Sequence, residues 1–126
     1  MNIEEFRQYQ QDHVVGWMEV AESEDPRHKS SSVTLSKYTF GCSACTVARR
    51  AGLAIYGQLD KMRGYNKCLY CPVISFRTSS GIGAGCLRSY SLYWQWYRCR
   101  DTEEARELAR KMANLPWEYM MEYDRA

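Results

Sequence analysis

Cys42-Ser43-Ala44-Cys45 and Cys68-Leu69-Tyr70-Cys71 stand at the two ends of a segment with helical periodicity, and that spacing limits how the chain can fold. Two thiolates separated by two residues can face one tetrahedral zinc ion while the turn between them supplies amides that offset their charge. If residues 45–63 form one straight helix, a rise of about 1.5 Å per residue puts the two pairs roughly 27 Å apart, whereas ligands of one zinc lie within about 4 Å of each other. Either the helix breaks near Gly52 or Gly57 and the chain doubles back, or each pair belongs to its own group of ligands.

The pattern along the chain predicts the surrounding elements. Asn2 and Glu5 have capping-box spacing, and Ile3, Phe6, His13, Val14, Trp17 and Ala21 recur near helical period, which predicts a helix over 3–22. The polar run 23–32 contains Pro26 and no apolar period, so it reads as a linker. Residues 33–40 are β-branched and aromatic and read as a strand ended by Gly41. Val47, Ala51, Ala54, Ile55, Leu59 and Met62 then share one helical stripe. Residues 72–78 and the alternating run 87–100 read as two strands joined by a glycine-rich hairpin over 79–85. Asp101 and Glu104 repeat the capping box before a helix that stops at Pro116, and 117–123 fit either a strand or a short helix. The order β-α-β-β-α, with a final β if the tail is a strand, is the split βαβ pattern of ferredoxin-like α+β domains. The expected organisation is one domain over 1–126: an N-terminal helix at 1–22, a linker at 23–32 and an α+β core at 33–126.

That topology sorts the cysteines. The first helix and third strand start at the same sheet edge, which brings Cys86 toward Cys42 and Cys45. At the opposite edge Cys68, Cys71 and Cys99 gather, with His28 of the linker as a fourth ligand. A zinc ion held by Cys68, Cys71, Cys99 and His28 competes with one held by all four CxxC cysteines, and both compete with unmetallated, buried thiols. In a cytoplasmic protein, the compartment expected from the absence of a signal-like start or membrane-length apolar run, thiols stay reduced and disulfides are disfavoured.

Charge is partitioned sharply: residues 1–40, 41–100 and 101–126 carry net −3, +8 and −3. The central block contains Arg49, Arg50, Lys61, Arg63 and Lys67, candidates for contact with phosphate or carboxylate groups, and is rich in tyrosine and tryptophan. On the third strand, Tyr93 and Tyr97 would face the open side of the sheet as stacking platforms, unless the N-terminal helix covers that side and makes them core. Equally, acids of the flanking segments can fold back and neutralise the basic block.

Other chemistry has less support. A strand, a CxxC pair and a helix in that order are also the arrangement of thiol oxidoreductases, in which the helix N-terminus lowers the first thiol's pKa. His13 lies on the apolar stripe and reads as a hydrogen-bonded core residue. Ser80-Gly81-Ile82-Gly83-Ala84-Gly85 lacks the Lys-Ser or Lys-Thr and the helix junction of a phosphate loop. Two histidines and one central acid do not assemble a triad or a carboxylate pair, so an enzyme is disfavoured. The reading is a non-enzymatic, zinc-stabilised module that binds nucleic acid or an acidic nucleoprotein surface. Its rival is a regulator or inhibitor, of the kind phages and mobile elements carry, that blocks another protein.

Overall fold

The side chain of Asn2 starts the first helix by accepting the Glu5 amide at 2.8 Å, and α1 then runs over Ile3–Glu22. The computed structural model describes residues 1–39, 41–57, 67–77, 86 and 91–126. Among them are three further α-helices: α2 (Ser43–Tyr56), α3 (Leu92–Arg98) and α4 (Thr102–Ala113), with short 3₁₀ turns between. No described residue belongs to a strand, and a single antiparallel bridge joins Val73 to Trp117. The ferredoxin-like α+β expectation is therefore overturned in favour of a helical architecture.

The reasons are local. In the first expected strand, Leu35–Lys37 is a 3₁₀ turn, set by Ser32, whose Oγ accepts the Leu35 amide at 2.9 Å. In the second, Ile74–Phe76 is another. Of the third, residues Leu92–Arg98 are α3: Ser91 caps it by accepting the Trp94 amide at 3.1 Å, and Tyr97 meets the rings of Tyr93 and Trp94 at helical separations. The expected hairpin over 79–85 lies outside the described residues.

Helix α1 is the post against which the others stand. It packs most extensively on α4, and α2 and the turns at Lys29–Ser31 and Leu35–Lys37 also touch it. Its buried face is Phe6, His13, Gly16, Trp17, Val20 and Ala21, whereas Ile3 and Val14 of the expected stripe are exposed. Trp17 meets Trp96 of α3 edge to face with centroids 4.8 Å apart. Asp101 caps α4 by accepting the Glu104 amide at 3.2 Å. A second apolar cluster of Phe6, Val47, Ala51 and Tyr123 joins α1 and α2 to the C-terminal turn Met121–Arg125.

The polar run 23–32 is stitched to the helices. Glu19 of α1 accepts from the Ser32 hydroxyl at 2.7 Å and the Thr34 amide at 3.1 Å. Trp96 Nε1 donates to the Pro26 carbonyl at 2.7 Å, and Arg106 of α4 donates to the Ser23 carbonyl at 2.9 Å. Pro26 and Ser32 are buried, so this run is a packed layer that fixes residues 25–28 beside the end of α3.

His13 is fully buried, and its Nε2 lies 2.7 Å from the Met112 carbonyl. A carbonyl only accepts, so Nε2 carries the proton and Nδ1, which has no partner, is the bare nitrogen. Burial lowers its pKa from 6.5 to about 4, against the smaller upward pull of the Met112 carbonyl.

Two outcomes follow. The unfolded state takes up a proton near pH 6.5 that the folded state refuses until about pH 4. Stability present above pH 6.5 is therefore lost progressively toward pH 4, by as much as about 3 kcal/mol. Urea midpoints measured across that window should fall with pH, and His13→Gln should flatten the slope. Separately, a Cβ on Gly16 would lie 2.4 Å from Leu35 Cγ. Leu35 is fully buried, so overpacking should exceed the roughly 1 kcal/mol helix-propensity gain. Gly16→Ala is expected to cost about 1–2 kcal/mol in thermal or urea unfolding.

Candidate functional site

Helix α2 begins where Gly41 turns the chain at φ 86, and a Cβ there would lie 2.6 Å from Cys45 Sγ. Glycine is required twice over, for the left-handed backbone and for the space. Cys42 is the N-cap residue, and its carbonyl accepts the Cys45 amide at 3.0 Å. Lys29 holds the approach to the turn by donating to the Tyr38 carbonyl at 2.8 Å and to the Gly41 carbonyl. At its other end α2 stops at Gly57, φ 77. The turn Lys67–Tyr70 packs back along α2. Of the two arrangements the spacing allowed, the chain doubles back.

This return brings thiols together. Cys42 and Cys71 are buried in one core cluster, with Cys86 packed against it. The Cys42 thiol is pushed well up by its hydrogen bond with Cys45, then by burial, with Cys45 and Cys71 adding repulsion. Cys71 is pushed up mainly by burial and further by Cys45, Cys86 and Cys68. Tyr93 borders the same group: burial first, then Cys86, Cys42 and Cys45, raises its hydroxyl. Cys71 thus lies within electrostatic range of Cys45, Cys68 and Cys86, and Cys42 within range of Cys45 and Cys71, and no disulfide joins any of the six. Charge repulsion and a dry setting keep Cys42 neutral, which weighs against its acting as an activated thiolate nucleophile.

The expected metal groupings are corrected here. Among the described residues, no set of three or more His, Cys, Asp or Glu side chains is placed where it could hold a metal ion. The division of the cysteines also differs from that expected of a sheet. Cys71 and Cys68 share the environment of Cys45, not of Cys99, because α2 ends at Tyr56 and the turn Lys67–Tyr70 packs against that same helix. Cys99 donates to the Asp101 carbonyl at 3.3 Å, and His28 Nδ1 lies 2.6 Å from Asp25 Oδ2. Cys99 and His28 both line a separate cleft.

That cleft, of ≈ 420 Å³, is lined by Arg27, His28, Tyr97, Arg98, Cys99 and Arg100. It forms where the packed run 23–32 passes the end of α3, and Arg27 Nη1 donates to the Arg100 carbonyl at 3.3 Å across it. Its aromatic wall is a ledge on α3. The Tyr97 ring is nearly parallel to those of Tyr93 (13°) and Trp94 (21°), with centroids 6.2 and 5.9 Å away. Arg98 lies over Trp94, its guanidinium carbon 5.5 Å from the ring centroid. Tyr97 is 63% exposed, while Tyr93 is half-buried against Trp17. Of the two expected platforms, one belongs to the core margin and the other faces solvent.

The central basic block is divided as well. Arg50 is taken up by Glu5 at 2.8 Å and by the C-terminal Ala126 oxygen at 2.8 Å, and Arg77 by Glu118 at 2.9 Å. The flanking acids have folded back onto these two. Arg49 is half-buried in α2. Lys61 and Arg63 lie outside the described residues, and so does the side chain of Lys67. Among the described residues, neither Arg98 nor Arg100 is in an ion pair with a carboxylate, and Asp25 lies 3.9 Å from Arg27. Sequence reasoning did not select Arg27, Trp94, Arg98 or Arg100 as contacts. The available signal was helical spacing of Tyr93, Trp94 and Tyr97 immediately before Arg98 and Arg100.

Comparison with protein-family models, with curated proteins and with solved structures finds no match. No helix among the described residues is long and apolar enough to cross a membrane.

Titration of native, reduced protein with a thiol reagent should modify the partly exposed cysteines, Cys45 and Cys99 among them, well before Cys42 and Cys71, which should react only on unfolding. If all six stay silent until a chelator is added, the thiols are metal-bound thiolates and this description of the group is wrong.

Proposed function

We infer that the protein is a non-enzymatic module that binds nucleic acid through the cleft at the end of α3. The observation that carries this reading is the placement of Arg98 and Arg100, unmatched by acids among the described residues, beside the exposed ring of Tyr97. Guanidinium groups pair with phosphate oxygens in a planar fork, and an aromatic face beside them takes a base. Arg27 adds a third guanidinium, partly offset by Asp25. Arg50 and Arg77 have little part in this reading, since their charge is already matched within the fold. Tyr93, which stacks with Tyr97, packs against the core cluster that contains Cys42 and Cys71.

Fluorescence anisotropy with labelled oligonucleotides tests the reading. Binding should be strongest at low salt, and phosphate contacts by Arg98 and Arg100 should give a log–log salt slope of about −1.4. Arg98→Ala and Arg100→Ala should each reduce that slope by about 0.7 and weaken binding. Absence of binding to both single- and double-stranded oligonucleotides at low salt would refute it. Capture of one stoichiometric protein that survives nuclease treatment would then favour the rival, a regulator that occupies another protein's surface.

A further inference from the structure

We propose that the cleft is a single-strand site: one unpaired base stacks on the exposed face of Tyr97 while the adjoining phosphates are held by Arg98 and Arg100. This rests on the nucleic-acid reading and narrows it to a ligand class.

Three features of the cleft point the same way. Its size, ≈ 420 Å³, falls within the range of pockets for single small ligands, about 300–1,000 Å³, which suits one nucleotide. The ring of Tyr97 is backed by Tyr93 and Trp94 in near-parallel array, so its orientation is set before any ligand arrives and little rotamer freedom is lost on stacking. A base in a duplex has both faces covered by its neighbours, whereas an unpaired base can offer one to an aromatic ring.

The charges are placed to match. Arg98 follows Tyr97 in the chain and is held over Trp94, and Arg100 is tied through its carbonyl to Arg27 on the opposite wall. A strand crossing the ledge would meet the ring on one side and guanidinium groups on the other. The last carbonyls of α3 and the Asp25 carboxylate disfavour an anion deep in the cleft. The phosphates are therefore expected at its rim, on Arg98 and Arg100, both exposed.

The test uses the full chain and a labelled oligothymidylate, free or annealed to its complement, at matched low salt. The single strand should bind more tightly than the duplex. Tyr97→Leu should weaken single-strand binding by about five- to a hundredfold, the range expected for one lost base–aromatic stack, and leave duplex binding unchanged. Tyr97→Phe, which keeps the ring, should restore affinity to near wild type. Circular dichroism of Tyr97→Leu should match wild type, since this ring is at the surface. Equal affinity for both forms, or indifference of the single strand to Tyr97→Leu, would overturn the single-strand site while leaving nucleic-acid binding intact. No binding to either form would remove both.

Discussion

The buried face of α1 is the constraint on which the rest of the protein depends. Trp17 is almost wholly inaccessible and meets Trp96 of α3 and Tyr93 edge to face. One turn earlier, His13 donates to the Met112 carbonyl of α4. A hydrogen bond in a dry core is costly to leave unmade, and a tryptophan carries a large apolar surface. Together they fix α3 and α4 against one side of α1, and Phe6 and Ser43 settle α2 on another through the aromatic cluster and the 2.7 Å bond to the Tyr9 carbonyl. The candidate cleft exists because α3 is short and clamped at Trp96. The same indole that packs on Trp17 donates to Pro26 and so brings Arg27 and His28 to the helix end.

The cysteines obey a related logic. Their gathering follows from the packing of the turn Lys67–Tyr70 against α2, and the thiols stay protonated through the hydrogen bond with Cys45 and burial at Cys42 and mainly through burial at Cys71. Thiols in such a setting behave as small apolar groups with weak hydrogen bonds. Tyr93 and Cys86 pack against the same core cluster as Cys42 and Cys71.

Much of the helical framework was legible in local chemistry. Asn2 with Glu5 and Asp101 with Glu104 announce α1 and α4, because a side-chain acceptor three residues before an orphan amide is a requirement that tertiary contacts seldom alter. The strands were misread for an equally local reason. Runs such as 87–100 alternate in polarity and are rich in aromatics, but seven residues also satisfy a helical period, and Ser91 resolves the ambiguity by capping α3. Around Leu35, β-branched and aromatic residues suggested a strand, yet without a neighbouring strand the backbone closes on Ser32 and forms a turn.

By itself, the sequence determined the capped helices α1 and α4 and a central excess of positive charge. These depend on contacts between near neighbours, which composition and spacing encode directly. Only the tertiary structure decided which charges are paired within the fold. Arg50 and Arg77 find Glu5 and Glu118 across long separations, while Arg98 and Arg100 emerge beside Tyr97 and opposite Arg27. Coulomb pairing falls with distance in space, not along the chain, so the distribution of charge in the sequence cannot say which of it survives folding.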